Sequence, residues 1–496
     1  MPSPTLLAAI DLGSNSYRLE IGRLEHGHIE RIEYLKETVR QGNGLDADRK
    51  LTPEAMHRGW ACLARFAERL QGFDRRRVRA VATQTLREAR NRDVFLERAQ
   101  AILGFPIDVI PGREEARLIY SGVSHLLPQS DERRMVIDIG GRSTELILGA
   151  GMTPSVMESY RLGSVAWSMR YFADGVLSEK ALSTAQLAAE AILDEAVALY
   201  PRSAWDSAYG ASGTIGAVGD VLAACGWEPG VITPKGLMWL REQLLEARHA
   251  DRLRLDGLKD DRRPVLGGGL CVLLALFSLL DIDALQVASG ALRHGVLYDV
   301  LDRDRPDTDL RAASVQRLAQ VFSVDLQQAQ RVARVATGLF AQLQSTQDQA
   351  SERHMRKLGW AASLHEVGTR ISHSDYHKHG AYILEHADAP GFSLPELHRL
   401  GLLVLGHRGK LRKLEADFED ALFVQQLMSL RLAVILCHAR RDPDLGGLTL
   451  SLDPGQRQFA LAMRSGWAES YPQSAHLLRD EAVAWQKTSW SFAPAL

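Results

Sequence analysis

Residues 131–150 read DERRMVIDIGGRSTELILGA. Met135 to Ile139 is a short apolar run of strand character, Gly140-Gly141-Arg142-Ser143-Thr144 is a tight turn, and Glu145 to Leu148 reads as the returning strand. A strand that delivers an aspartate into a glycine turn followed by hydroxyls suits phosphate. The glycines let backbone N–H groups converge on an anion, the hydroxyls add donors, and the carboxylate can hold a divalent cation. The start of the chain repeats the pattern. Leu7 to Leu12 leads through Asp11 into Gly13-Ser14-Asn15-Ser16, and Leu19 to Gly22 returns. Asp11 and Asp138 hold equivalent places, so the chain reads as a duplicated unit whose two hairpins face one cleft. The alternative is a pair of unrelated turns that use Asp and Gly for ordinary turn reasons.

Composition bounds the rest. With 496 residues the chain has room for three or four domains at about 100–200 residues each. A net charge of −2 gives no global attraction to nucleic acid or membrane, so a polyanion would be met by local basic patches. Cys62, Cys225, Cys271 and Cys437 lack the spacing of a disulfide framework or a zinc site, which points to a reducing compartment. The N-terminus lacks the basic and long apolar regions of a signal peptide. The most apolar run, 265–280, contains Gly267-Gly268-Gly269 and reads as a buried core helix, short of a membrane span. The expectation is a soluble cytoplasmic protein.

In chain order, 29–39 is strand material, and Thr52 and Pro53 open a helix to about Leu70 as N-cap and first helical residue. A buried strand at 78–83 ends at Gln84-Thr85-Leu86-Arg87, which sets Arg87 past a strand end within reach of a cleft, or else at the start of a solvated helix. Phe105 to Ile110 is another strand, and Pro111-Gly112 breaks it before a helix from Arg113 to Val123. Leu118, Ile119 and Gly122 fall three, four and seven residues after Glu115, which puts Glu115 on the inward face; Glu114 is turned away and has Arg117 at i+3. A partly desolvated glutamate at a cleft has the raised proton affinity of a general acid or base, against the bland reading of helix-dipole compensation. Arg161 lies beside Gly163 and Ser164, and an amphipathic helix is expected over 182–200. A third glycine and hydroxyl turn, Ala211-Ser212-Gly213-Thr214, precedes a helix and suits an anion at its N-terminus. Residues 302–309, DRDRPDTD, form a charged linker, and 310–436 is helical in pattern with His354, His365, His373, His377, His379, His386, His398 and His407. A strand at 448–452 opens a mixed tail carrying Trp467, Trp485 and Trp490.

Six segments, DLGSNS at 11–16, TQTLR at 83–87, GREEARLIY at 112–120, DIGGRSTE at 138–145, GASGT at 210–214 and LHEVG at 364–368, resemble in order and spacing the exopolyphosphatase / guanosine pentaphosphate phosphohydrolase family. The resemblance covers the whole chain. It implies an α/β fold of two duplicated ribonuclease H-like (actin-like) half-domains, 1–124 and 125–302, followed by an all-α HD-like domain, 310–440, and a small mixed C-terminal domain, 441–496. It implies Mg2+-dependent hydrolysis of a terminal phosphoanhydride and a homodimer. Carried onto this chain, Glu115 activates water, Asp138 and Glu145 position Mg2+ or the water, and Arg87 binds the scissile phosphate. Asp11, equivalent to Asp138, is a further metal candidate. The turns that cradle phosphate are Gly13-Ser14-Asn15-Ser16, Gly140 to Thr144, and Ser212-Gly213-Thr214.

The chain also departs from the family. Arg142 stands where a third glycine is usual, and would contact a phosphate or point to solvent. Ser289 replaces a carboxylate in Ala288-Ser289-Gly290-Ala291-Leu292-Arg293. His365 is followed by Glu366 rather than Asp, so the HD metal site reads as decayed, with several ligands needed at once. Arg161, Lys378, Arg408 and Lys410 are candidates for a polyphosphate path, or are simply solvated faces. The expected substrate is inorganic polyphosphate, with guanosine pentaphosphate as the alternative. A sugar or acetate kinase and a non-catalytic polyphosphate or nucleotide sensor are the readings from other classes.

Overall fold

A computed structural model describes residues 5–25, 28–128, 130–303, 309–344 and 348–495. The chain divides into two compact units, 1–308 and 309–496. Most of the expected linker, 304–308, lies outside the described residues.

The first unit holds two sheets. Strands β1 (Thr5–Leu12), β2 (Tyr17–Glu25), β3 (His28–Glu37), β4 (Val78–Ala82) and β5 (Ile107–Val109) form one in the order β3-β2-β1-β4-β5. Strands β6 (Arg133–Ile139), β7 (Thr144–Ala150), β8 (Thr153–Tyr160), β9 (Ser207–Gly210), β10 (Val231–Ile232) and β11 (Leu285–Val287) form the other in the order β10-β11-β9-β6-β7-β8. In each, a hairpin and a third antiparallel strand lie on one side of the first strand, and a parallel strand that feeds a helix lies on the other. The duplication is therefore one of topology as well as motif.

β1 and β6 are almost wholly buried, which is why they read as apolar runs rather than alternating ones. Helix Pro53–Arg69 begins where Thr52 accepts the Ala55 N–H, and helix Gly213–Ala224 where Ser212 accepts from Thr214 and Ile215. A shared core joins Leu7, Val81 and Leu118 of the first half to Val136, Ile147 and Val296 of the second. β5 is shorter than 105–110, beginning only after Pro106, which supplies no N–H to a ladder. The helix expected over 182–200 breaks into Glu179–Leu193 and Ala196–Leu199.

Helix Arg263–Leu280 is long and apolar enough to cross a membrane, yet most of it is buried within this unit. Its backbone presses on its neighbours. A Cβ at Gly268 would lie 2.6 Å from the Ser168 nitrogen, and one at Gly269 would lie 2.5 Å from Thr214 Cγ2.

The second unit packs helices Leu310–Val321, Leu326–Gln342, Gln349–Ser363, Tyr376–His386, Leu394–Gly406 and Ala421–Leu436 with a small sheet of β12 (Thr449–Asp453), β13 (Gln458–Ala462) and β14 (Ser491–Pro494). Helix and tail residues, among them Phe340, Leu427, Phe459, Trp485 and Phe492, belong to one hydrophobic core. The C-terminal residues thus share the core of the helices rather than building a separate one.

Candidate active site

A cavity of about 410 Å³ opens between the two halves of the first unit. Its lining includes Gly13, Ser14, Asn15 and Ser16 of the first turn, Gly140, Gly141 and Ser143 of the second, and Ser212, Gly213 and Thr214 of the third. Asp11, Glu115 and Asp138 line it as well. The three sequence-distant turns therefore meet, as the duplicated pattern requires.

A carbonyl oxygen that faces a phosphate repels it, so an anion-binding turn must engage its carbonyls elsewhere. Both hairpins do. In the first, Ser14 O accepts from Gly42 N–H and Asn15 O from Arg40 N–H, each at 2.8 Å. In the second, Gly140 O accepts from Ser164 N–H at 2.9 Å, and Gly141 O from Val165 and Ala166 at 2.9 and 3.0 Å. Asn15 Nδ2 and Ser16 Oγ are buried at the first turn without a protein partner, two donors suited to an anion.

The carboxylates differ in their surroundings. Asp11 accepts from Arg18 Nη1 at 2.9 Å. Burial and then the nearby Glu115 raise the proton affinity of Asp138 far above the usual carboxylate range. Glu145, opposite Asp138 in the β6–β7 register, is raised in the same way by burial, Glu115 and Asp138; its Oε1 accepts from Ser159 Oγ at 2.8 Å. Burial also raises Glu115, against the opposing pull of Arg87, whose Nη1 donates to Glu115 Oε2 at 2.7 Å. Glu114 is turned away and held by Arg117 at 2.8 Å, as the helical spacing predicts.

Several expected site residues fall outside the cavity lining. Arg87 is anchored on Gln84 Oε1, Ile110 O and Glu115, so its guanidinium serves the glutamate rather than lining the space for a phosphate. Thr144 is fully buried and donates to Leu162 O, because strand alternation turns it into the core. Arg142 neither lines the cavity nor points to solvent; it reaches Glu88 Oε2 at 2.9 Å and Gly42 O at 3.2 Å. Arg161 is exposed and outside the lining.

Glu145 also lies behind the lining, and among the described residues no group of three His, Cys, Asp or Glu side chains is arranged to hold a metal ion. The set Asp11, Asp138 and Glu145 is therefore not a three-ligand cage. The donor chemistry still fits Mg2+, which takes one or two carboxylates and completes its shell with phosphate oxygens and water. Asp138 and Asp11 line the cavity, and the crowding of Asp138 by Glu115 and Glu145 favours a cation there.

The cations of the cavity were missing from the sequence-based candidates. Arg18, Lys36, Lys259, Arg262 and Arg293 line the cavity beside Tyr34. Burial and then Arg18 push the Arg262 guanidinium down, and burial and then Arg262 push Lys36 down, as like charges gathered in one place must be. Arg18 was accessible in principle, since a two-strand hairpin around residues 13–16 forces it opposite Asp11. Lys259 and Arg262 sit in a loop with no periodic signal.

In the second unit His365, His377 and His407 gather, with ring centroids 5.4 Å apart for His365 and His407 and 6.3 Å for His377 and His407. Burial and then His365 hold His407 well below the usual imidazole range. Glu366, at the position of the family's aspartate, accepts from Arg440 Nη2 at 2.6 Å. Arg408 stacks on Tyr376, Lys378 pairs with Asp375, and Lys410 is exposed.

Comparison with known proteins agrees with this architecture. The Ppx/GppA phosphatase family matches residues 21–304, and domain III of that family matches 310–482. Guanosine-5'-triphosphate,3'-diphosphate pyrophosphatase of Pseudoalteromonas translucida is 38% identical over 494 residues, covering 99% of this chain and 98% of its own. The protein of the same name from Vibrio campbellii is 37% identical over 490 residues, covering 98% of each. Among solved structures, the PPX-GPPA enzyme of Aquifex aeolicus is 26% identical with a TM-score of 0.51, covering 59% of this chain and 98% of that one. An exopolyphosphatase from Cytophaga hutchinsonii, 24% identical with a TM-score of 0.54, covers 60% of this chain and 98% of its own and carries the likeness of fold.

Proposed function

The chain belongs to the Ppx/GppA phosphatase family and is a phosphoanhydride hydrolase, and within that class we propose that it removes the terminal 5′-phosphate of guanosine 5′-triphosphate 3′-diphosphate. The hydrolase class sets aside the kinase and sensor alternatives. The observation that carries the choice of substrate is full-length likeness, 37–38% identity across nearly the whole chain, to relatives named for that reaction. The cavity is compatible with it. About 410 Å³ is the scale of a small-ligand site, and its cations, Arg262 beside Gly213 of the third turn among them, can meet further anionic charge on the substrate. Polyphosphate, first in the reading of the sequence alone, becomes the second choice, because the full-length relatives at 37–38% identity are named for the nucleotide.

In the proposed mechanism the terminal phosphate rests against the turns 13–16, 140–143 and 212–214, with Asn15 Nδ2 and Ser16 Oγ donating to it. Glu115 takes a proton from water through the carboxylate oxygen that Arg87 does not hold. The water oxygen bonds to phosphorus as the bridging P–O bond breaks in line, and guanosine bearing two diphosphates leaves with the bond's electrons. Arg87 acts from behind, fixing the direction of the Glu115 carboxylate. Asp138 and Asp11 would hold Mg2+, which when bound supplies charge neutralisation on the phosphate oxygens.

The test is phosphate release with Mg2+ from guanosine pentaphosphate and from long-chain polyphosphate at matched terminal phosphate, beside a Glu115→Gln control. A higher kcat/KM on the nucleotide and an inactive variant support both parts. Preference for polyphosphate returns the substrate to the second choice, and an active Glu115→Gln enzyme removes the base assignment.

A further inference from the structure

We infer that Arg142 is a positioning residue, which couples the second phosphate turn to the Arg87–Glu115 pair through Glu88 and Gln84. The inference rests on the reading of Glu115 as the base.

Arg142 leaves the β6–β7 turn and crosses to the first half. Its Nε and Nη2 meet Glu88 Oε2 at 3.2 and 2.9 Å, and its Nη1 meets Gly42 O at 3.2 Å. Gly42 in turn donates its N–H to Ser14 O of the first turn. One guanidinium thus braces both hairpins. This use of a planar fork on several acceptors is one that lysine does not reproduce.

From Glu88 the donors and acceptors alternate without a gap. Glu88 Oε1 accepts from Gln84 Nε2 at 2.7 Å. That contact fixes the orientation of the Gln84 amide, and its Oε1 then faces Arg87 and accepts from Nε and Nη2 at 2.9 and 2.7 Å. Arg87 keeps Nη1 for Ile110 O and Glu115 Oε2. If the amide turned over, its NH2 group would meet the guanidinium donor to donor. Glu88 prevents this only while it is itself held, and Arg142 holds it. The side chains are 20% and 15% exposed, sheltered enough for the charge-assisted bonds to persist.

The experiment is a double-mutant cycle on kcat and KM for guanosine pentaphosphate with Arg142→Ala, Glu88→Ala and the pair, and melting temperatures for each. Loss of alignment at the base lowers kcat about tenfold in each single variant and leaves KM within about twofold. The pair loses no more than either single. In a Glu115→Gln background, Arg142→Ala adds nothing to the loss. Where alanine lowers the melting temperature, Arg142→Met carries the same test, since it keeps the apolar stem and removes the charge that holds Glu88. An unchanged kcat, a loss confined to KM, or single losses that multiply in the pair overturns the proposal. The wild-type comparison of substrates and the Glu115→Gln control fail separately, so neither is confused with failure of the Arg142 link.

Discussion

The two halves of the first unit place a row of three side chains at matching positions of the same topology. In the first, Asp11 of β1 faces Arg18 of β2, which faces Lys36 of β3; in the second, Asp138 of β6 faces Glu145 of β7, which faces Ser159 of β8. One row is an acid neutralised by cations, the other an acid pressed against an acid. Duplication fixed where these side chains stand, and the second and third strands of each half decided what charge they meet. The result is a cleft in which the first row brings positive charge beside the phosphate turns and the second gathers carboxylates suited to protons and a cation.

Substitutions in either row should separate the two roles. The largest effect is expected where neither row substitutes for the other: Glu115→Gln should lower kcat by about a thousandfold, within the range of a lost general base, with KM little changed in steady-state phosphate release. Next, Arg18→Ala removes the central cation of the first row, and kcat/KM should fall about tenfold to a hundredfold, mostly through KM, as one charge-assisted contact to phosphate is lost. A loss mainly in kcat would instead give Arg18 a part in the chemical step. Glu145→Gln in the second row should instead weaken Mg2+ activation about tenfold, read from the Mg2+ concentration at half-maximal rate.

The smallest catalytic effect is expected at Glu20, where the measurement is stability against pH. Burial raises its carboxyl, but His294 and Arg293 outweigh that and bring it from 4.5 down to about 2. Its folded value lies below its unfolded one, so its contribution is present above pH 4.5 and is lost as pH falls toward 2. It amounts to about 3 kcal/mol. Denaturant unfolding of Glu20→Gln should show a shallower loss across that window. The second row has the opposite sign: Asp138→Asn relieves a crowded buried carboxylate and should raise the melting temperature by about 2 °C in chelator while activity falls.

What the sequence revealed was local. The hairpin turns, the caps at Thr52 and Ser212, and the inward Glu115 against Glu114 with its Arg117 partner all follow from spacings within one element. The register Asp11–Arg18 was equally local and could have been drawn from the turn length. Arg142 was a visible departure from the family pattern, but its partners Glu88 and Gly42 lie 54 and 100 residues away, and nothing in its neighbourhood specifies them. Thr144 shows the converse. Its hydroxyl fits the motif, yet the two-residue period of a strand sends it to Leu162 O instead of the cavity. The broken helix after Leu193 and the shortened β5 lie at boundaries, where Pro106 and competing capping decide a few residues.

Helix Arg263–Leu280 touches none of this chemistry with a functional group, yet it sets a dimension of the site. Gly268 rests on the first turns of the helix that begins at Ser164, whose amide holds Gly140 O, and Gly269 rests on Thr214. The bare backbone is in effect a caliper whose jaws are the second and third phosphate turns. A single methyl at either glycine would open the gauge, so a survey of inactivating substitutions should find a hot strip along an apolar helix that carries no acid, base or ligand.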